Sequence, residues 1–194
     1  MISTISSGIV KWLLRSGAIS QQDKELYEYA AYSFLFSLMP LCLVAVLGCI
    51  MGVLIEGILM ILPFMLIRKF SGGFHLQSPG ICLVSSTLLL SAFLFIMRLV
   101  IDEQQIILFT CFVIASAIQI FLCSPIDNDA RKLNEKQRLV FKKIARIMST
   151  IFLVLYIILL LLRQLRFFVP VGTGILLTAL LQVPCFFTKK HFSD

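Results

Sequence analysis

The chain has 194 residues, of which 59% are hydrophobic and 14% charged, with a formal net charge of +7 and a mean hydropathy of +1.00. A water-soluble domain of this length has too little interior to hide so much apolar surface, so the composition excludes an ordinary soluble enzyme and makes lipid the solvent for most of the chain. The expected fold is all-α: a single polytopic integral membrane domain over 1–194, with about six transmembrane helices, an N-terminal interfacial amphipathic helix and no cleavable signal peptide.

Residues 1–29 precede the first long apolar run. Within them Ile5, Ile9, Trp12 and Leu13 recur at helical spacing opposite Lys11 and Arg15, the pattern of a helix lying in the membrane surface. Ser20 is placed to cap a second helical stretch from Gln21 to Tyr29. The run from Ala30 to Ile67 is too long for one crossing. Glu56 and Gly57 are expected to divide it into a span near 30–54 and a short one near 57–69 that contains Pro63. A polar island follows over 68–80, then a third span near 81–99, a turn at Asp102–Gln105 and a fourth span near 106–123. Residues 124–146 form a basic loop. A fifth span near 147–162 and a sixth near 167–187 complete the chain. Gly48, Gly52 and Gly57 read as sites of close helix packing.

The end of the basic loop turns helical. Asn134 and Gln137 form a capping pair, Val140, Phe141, Ile144, Ile147 and Met148 make one stripe, and Arg138, Lys142, Lys143 and Arg146 fill the remainder. Six crossings put both termini on one side. Three basic residues of the N-terminal segment, two of the island, seven of the 124–146 loop and two of the tail share that side, which is fourteen of the seventeen Lys and Arg. The positive-inside rule makes this face cytoplasmic, where thiols stay reduced.

The chemistry gathers in the segment from Arg68 to Cys82. His75 lies in a Gly- and Pro-containing loop, and Cys82 falls in the first turn of the third span, behind Pro79 at the helix entry. Free N–H groups at a helix start favour a thiolate, and a folded-back loop brings a histidine to act as its base. Arg68 is a fixed cation for a substrate carboxylate or an oxyanion, with Gly72 and Gly73 beside it. The bland readings are a structural cysteine and an interfacial histidine, and a His-x6-Cys spacing does not by itself choose between them. The other five cysteines, at 42, 49, 111, 123 and 185, read as small buried hydrophobes with no disulfide spacing. One His and one Cys are too few ligands for a metal, and no metal or cofactor is expected.

The segment, written Arg-x3-Gly-Gly-x-His-x6-Cys, resembles the signature of the accessory gene regulator protein B (AgrB) family, integral membrane cysteine endopeptidases of bacterial peptide quorum sensing. The likeness extends coarsely to the length, the multi-span layout and the Ser124-Pro125-Ile126-Asp127 turn that opens the basic loop. It implies His75 as base, Cys82 as nucleophile, a site in the bacterial cell membrane, and a homodimer. It also implies cleavage of a small AgrD-like propeptide on its C-terminal side, with closure of a thiolactone or lactone ring. Asp127, Asn128 and Asp129 are candidates to orient His75. Arg131, Lys132, Arg138, Lys142, Lys143 and Arg146 either fix topology and contact anionic membrane lipid or dock an acidic propeptide tail. Nucleic acid is not an expected partner. The alternatives are a small multi-span peptide transporter or exporter without proteolytic activity, and a non-catalytic scaffold.

Overall fold

The computed structural model describes residues 2–73, 79–103, 105–126 and 134–185. Among them are seven α-helices: α1 (Ile2–Arg15), α2 (Lys24–Met51), α3 (Leu54–Ser71), α4 (Pro79–Glu103), α5 (Ile106–Cys123), α6 (Glu135–Leu161) and α7 (Leu165–Leu180). The chain divides into two compact units, Met1–Leu43 and Val44–Asp194.

In the first unit, α1 is the amphipathic helix its spacing predicts. Ile5, Ile9 and Trp12 are exposed along one face, whereas Ser6 and Val10 are buried. Apolar side chains left outside on a helix with a cationic flank suit the boundary between headgroups and acyl chains. A single 3-10 turn, Gln21–Asp23, leads into α2; Ser20 donates from its hydroxyl to the Asp23 carboxylate at 2.7 Å and accepts no capping hydrogen bond from a backbone N–H.

Five segments are long and apolar enough to cross a membrane: Gln21–Met51, Gly80–Ile101, Ile106–Cys123, Glu135–Leu161 and Leu165–Cys185. The protein is an all-α polytopic membrane protein. Helix α3 is the sixth apolar helix. Its charges, Glu56, Arg68 and Lys69, stand at its two ends and leave the stretch 57–67 without any.

The long apolar run breaks at Gly52, not at Glu56 and Gly57 as expected from charge. Gly52 takes a left-handed φ of 70°, and Val53 N–H bonds back to the Gly48 carbonyl at 2.8 Å, which ends α2 in one residue. Glu56 instead sits in the first turn of α3, where the helix dipole favours an acid. Of the three glycines assigned to packing, two serve it. A β-carbon on Gly48 would lie 2.9 Å from Leu54 Cα, and one on Gly57 would lie 2.9 Å from Val44 Cγ1; Gly52 meets nothing within 4 Å and is a turn residue.

Helix α7 is the core of the second unit and packs against α3, α4, α5 and α6. Its most apolar window is 67% buried, against 28% or less in the other four spanning segments, whose large side chains face outward to lipid. Gly172 and Gly174 permit that position. A β-carbon on Gly172 would meet Tyr156, Phe109 and Val113 at 2.8–2.9 Å, and one on Gly174 would collide with the Met60 carbonyl of α3. Tyr156 packs edge-on to Phe168 with ring centroids 5.7 Å apart, and its hydroxyl shares a 2.8 Å hydrogen bond with Thr110.

Helix α6 opens with the expected capping box: Asn134 Oδ1 accepts from Glu135 N at 2.7 Å and Gln137 Oε1 from Asn134 N at 3.3 Å. The 124–146 segment is therefore helical from Glu135 onward. The line α6 turns inward is Ala145, Ser149 and Tyr156, while Val140 and Ile147 of the expected stripe are exposed. Small residues let α6 approach α7 closely, and the larger ones beside them go to lipid.

Gly174→Val should lower the unfolding midpoint of the detergent-solubilised protein, because overpacking against backbone typically costs about 1–3 kcal/mol or more. Gly8→Ala, where no atom lies within 4 Å, should leave it unchanged or slightly raised.

Candidate functional site

The site is built on the end of α3. Its last turn carries Arg68 and Lys69, and the helix stops at Gly72, whose N–H returns to the Arg68 carbonyl at 3.2 Å. Gly72 and Gly73 have φ of 74° and 140°, values that residues with a β-carbon rarely adopt. The pair also allows an approach that no side chain would permit. The Ser124–Ile126 turn after α5 lies against it in a short parallel bridge, with Ile126 N–H donating to the Ser71 carbonyl at 2.9 Å. A β-carbon on Gly72 would strike the Ile126 carbonyl. One on Gly73 would lie 2.7 Å from an Arg68 guanidinium nitrogen and 3.1 Å from the Leu181 carbonyl. Three chain ends thus meet here: those of α3, α5 and α7.

Arg68 is held over the Phe64 ring, 5.7 Å from its centroid, with its Nη1 atom buried. Its charge interacts with two thiols, Cys82 and Cys185. Cys82 is half-buried in the first turn of α4, with Pro79 as that helix's first residue, as expected. A guanidinium thus stands near a sulfur at a helix start. The arrangement suits a nucleophile whose product carries negative charge beside Arg68.

Of the residues singled out by sequence, Arg68, Gly72, Gly73 and Cys82 come together. His75, Asp127, Asn128, Asp129, Arg131 and Lys132 lie outside the described residues; along the chain His75 is two residues beyond Gly73 and Asp127 one beyond Ile126. Lys142, Lys143 and Arg146 line an open groove with Phe121, Leu139 and Ile147, whereas Arg138 is not part of its wall. Arg146 is fixed there, donating to the Phe121 carbonyl at 3.1 Å and stacking 4.7 Å over its ring. Phe141 meets Phe70 edge-on at 5.7 Å, so the cationic part of α6 adjoins the end of α3.

Two residues of the site were not signalled as functional by sequence. Cys185, read as a structural thiol, is buried within reach of the Arg68 charge. Gln182 is fully buried and donates from Nε2 to the Ser124 hydroxyl at 3.0 Å. Its signal was present: an amide in an otherwise apolar run needs a partner. Among the described residues no group of three His, Cys, Asp or Glu stands close enough to hold a metal.

These features define a polytopic helical membrane protein with a cation and a thiol gathered around a glycine-made turn. The family model for accessory gene regulator B matches residues 6–186, and the chain belongs to that family. It is 27% identical over 82 residues to AgrB-like protein 2 of Clostridium perfringens (strain 13 / Type A), covering 42% of this chain and 38% of the relative. It is 24% identical over 82 residues to an AgrB-like protein of Clostridium perfringens (strain SM101 / Type A), with the same coverage. The chain therefore spans well under half the length of the curated relatives it matches. No solved structure matches it.

Gly72→Ala and Gly17→Ala separate contact from backbone strain. The two glycines share nearly the same φ, 74° and 71°, but only Gly72 faces an obstructing carbonyl. Gly72→Ala should destabilise by at least about 1 kcal/mol more than Gly17→Ala, read from unfolding midpoints in detergent.

Proposed function

We propose that the protein is a membrane cysteine endopeptidase that removes the C-terminal part of a small quorum-sensing propeptide of the AgrD type. Family membership supports a part in agr peptide processing. The observation that carries the finer reading is a half-buried Cys82 at a helix start within electrostatic reach of Arg68.

In this reading His75 takes the Cys82 proton and the thiolate attacks a propeptide carbonyl. Arg68 stabilises the tetrahedral oxyanion; the Gly72 N–H, an oxyanion candidate by sequence, is instead spent on the Arg68 carbonyl. The C–N bond breaks, the amine leaves with the proton from His75, and an acyl thioester remains on Cys82. A propeptide thiol or hydroxyl then attacks the thioester, closing a thiolactone or lactone and restoring the Cys82 thiol. Water must lose that competition, which favours a narrow, dry site. Forming a thioester from an amide is uphill, so the first step is reversible and removal of the released fragment draws it forward. Asp127 orients His75. The active site and both termini face the cytoplasm, consistent with the basic residues on that side, and the protein acts as a homodimer.

The groove of Lys142, Lys143 and Arg146 is the dock for an acidic propeptide tail. Its place beside the end of α3, through the Phe70–Phe141 contact, supports that assignment.

Cys82→Ala should insert normally and lose propeptide cleavage, and His75→Ala should reduce turnover by about 10²–10⁴; full processing by Cys82→Ala in membrane vesicles refutes the peptidase. Charge reversal at Lys142 and Lys143 should raise KM and flatten its dependence on salt. An unchanged KM would return the groove to a lipid-contact role.

A further inference from the structure

The least explained polar atom near the site is the Gln182 carbonyl oxygen. Gln182 is 0% exposed, its Nε2 donates to Ser124 Oγ at 3.0 Å, and its Oε1 is buried with no hydrogen-bond partner among the described residues. Ser124 is itself 3% exposed and is the first residue of the turn that pairs with Ser71 and Gly72. The preceding residue, Leu181, presents its carbonyl to Gly73, and the Gln182 carbonyl accepts from Cys185 N–H at 3.1 Å. The side-chain amide is thus held through Nε2 by Ser124, and its main chain is tied to Cys185, at the convergence of α3, α5 and α7. Another amide near α7, Gln119, differs: it spends its Nε2 on the Ala179 carbonyl at 3.0 Å, tying down the last turn of that helix, and none of its atoms is left buried without a partner.

A buried carbonyl oxygen without a donor is unfavourable, and native proteins leave few of them. Gln182 follows Leu181, whose carbonyl lies by the Gly73 turn, so a substrate bound at that turn is one source of the missing donor. Its chemistry is constrained. Gln182 is neutral, so it selects neither anion nor cation, and Arg68 already supplies the charge. With Nε2 bonded to its oxygen, Ser124 keeps a hydroxyl proton to give. The pair thus offers one acceptor and one donor side by side, the complement of the N–H and C=O of one residue of an extended chain, which face the same side.

We infer that Gln182, supported by Ser124, is a substrate-binding residue that accepts a main-chain N–H of the propeptide close to the scissile bond. The inference rests on the peptidase reading and deepens it: a main-chain contact reads extended backbone at one position without reading the side chain there. It fixes the register in which the propeptide carbonyl meets Cys82.

The test is a double-mutant cycle on the full chain in membrane vesicles. Gln182→Met keeps the length of the side chain and removes both amide atoms. Propeptides carrying a single amide-to-ester replacement, one at each position flanking the scissile bond, remove one N–H at a time. At one position the ester should reduce wild-type kcat/KM by about fivefold to tenfold, mostly through KM, and should have no further effect in Gln182→Met. The pH profile of cleavage should be the same in both proteins. Should Gln182→Met fail to accumulate in the membrane, Gln182→Asn, which withdraws the amide by one methylene, is read in the same cycle and should lose the same coupling. Additive effects at every position overturn the inference alone, since the wild type still cleaves. A pH profile displaced by the substitution also overturns it, because Gln182 would then act on the catalytic base. A wild type that leaves every propeptide intact while Cys82 still reacts with alkylating reagents sinks the peptidase reading, and this inference with it.

Discussion

The hydrogen bond from Ile126 N–H to the Ser71 carbonyl joins the ends of α3 and α5, and most of what matters at the site follows from it. A helix leaves its last carbonyls without internal partners, and in a membrane protein water does not reach all of them. Here one orphan carbonyl of α3 is satisfied by the chain leaving α5. That requires the two backbones to touch, and only glycine at position 72 allows them to. The same turn commits Gly73 to lie under the Arg68 guanidinium. One backbone bond therefore fixes the glycine turn that lies beneath the cation.

Helix α7 makes this arrangement rigid. Its small residues let it run through the middle of the second unit, and its far end supplies Leu181, Gln182 and Cys185 to the turn. Burying these polar groups opposes folding by about 1–3 kcal/mol for each one left unmatched. The apolar packing of Phe168, Ile175, Leu177 and their neighbours offsets it. A site with such groups stays formed because its walls are helices, not because its own contacts are strong.

Much of this was legible in the sequence and some was not, for separable reasons. Span existence follows from apolar run length, so the helices were found. Pro79 and the Asn134–Gln137 pair mark helix starts through local chemistry, and both stand as read. The break at Gly52 was misplaced because charge was taken as the divider. An acid in a first turn is compatible with a helix, whereas a left-handed glycine ends one. The apolar stripe on α6 did not say which line turns inward, because in lipid the large apolar residues face outward and small ones such as Ala145 and Ser149 face inward. Gln182 went unread for a third reason: its role depends on Ser124, 58 residues away in the chain, and spacing alone carries no trace of that pairing.

The way the charge is held bears on the chemistry. Arg68 reaches the site from a helix end, with its Nη1 atom buried and an aromatic face beneath its guanidinium. A cation so placed is poorly screened by salt and acts at short range in a medium less polar than water. It favours a carbonyl oxygen gaining charge during attack. The same residue thus helps to hold the intermediate that the attack produces. Lysine at this position would supply the charge but not the planar fork, and the stacking on Phe64 that fixes its direction would weaken. That is the physical reason for an arginine four residues before the first of two glycines.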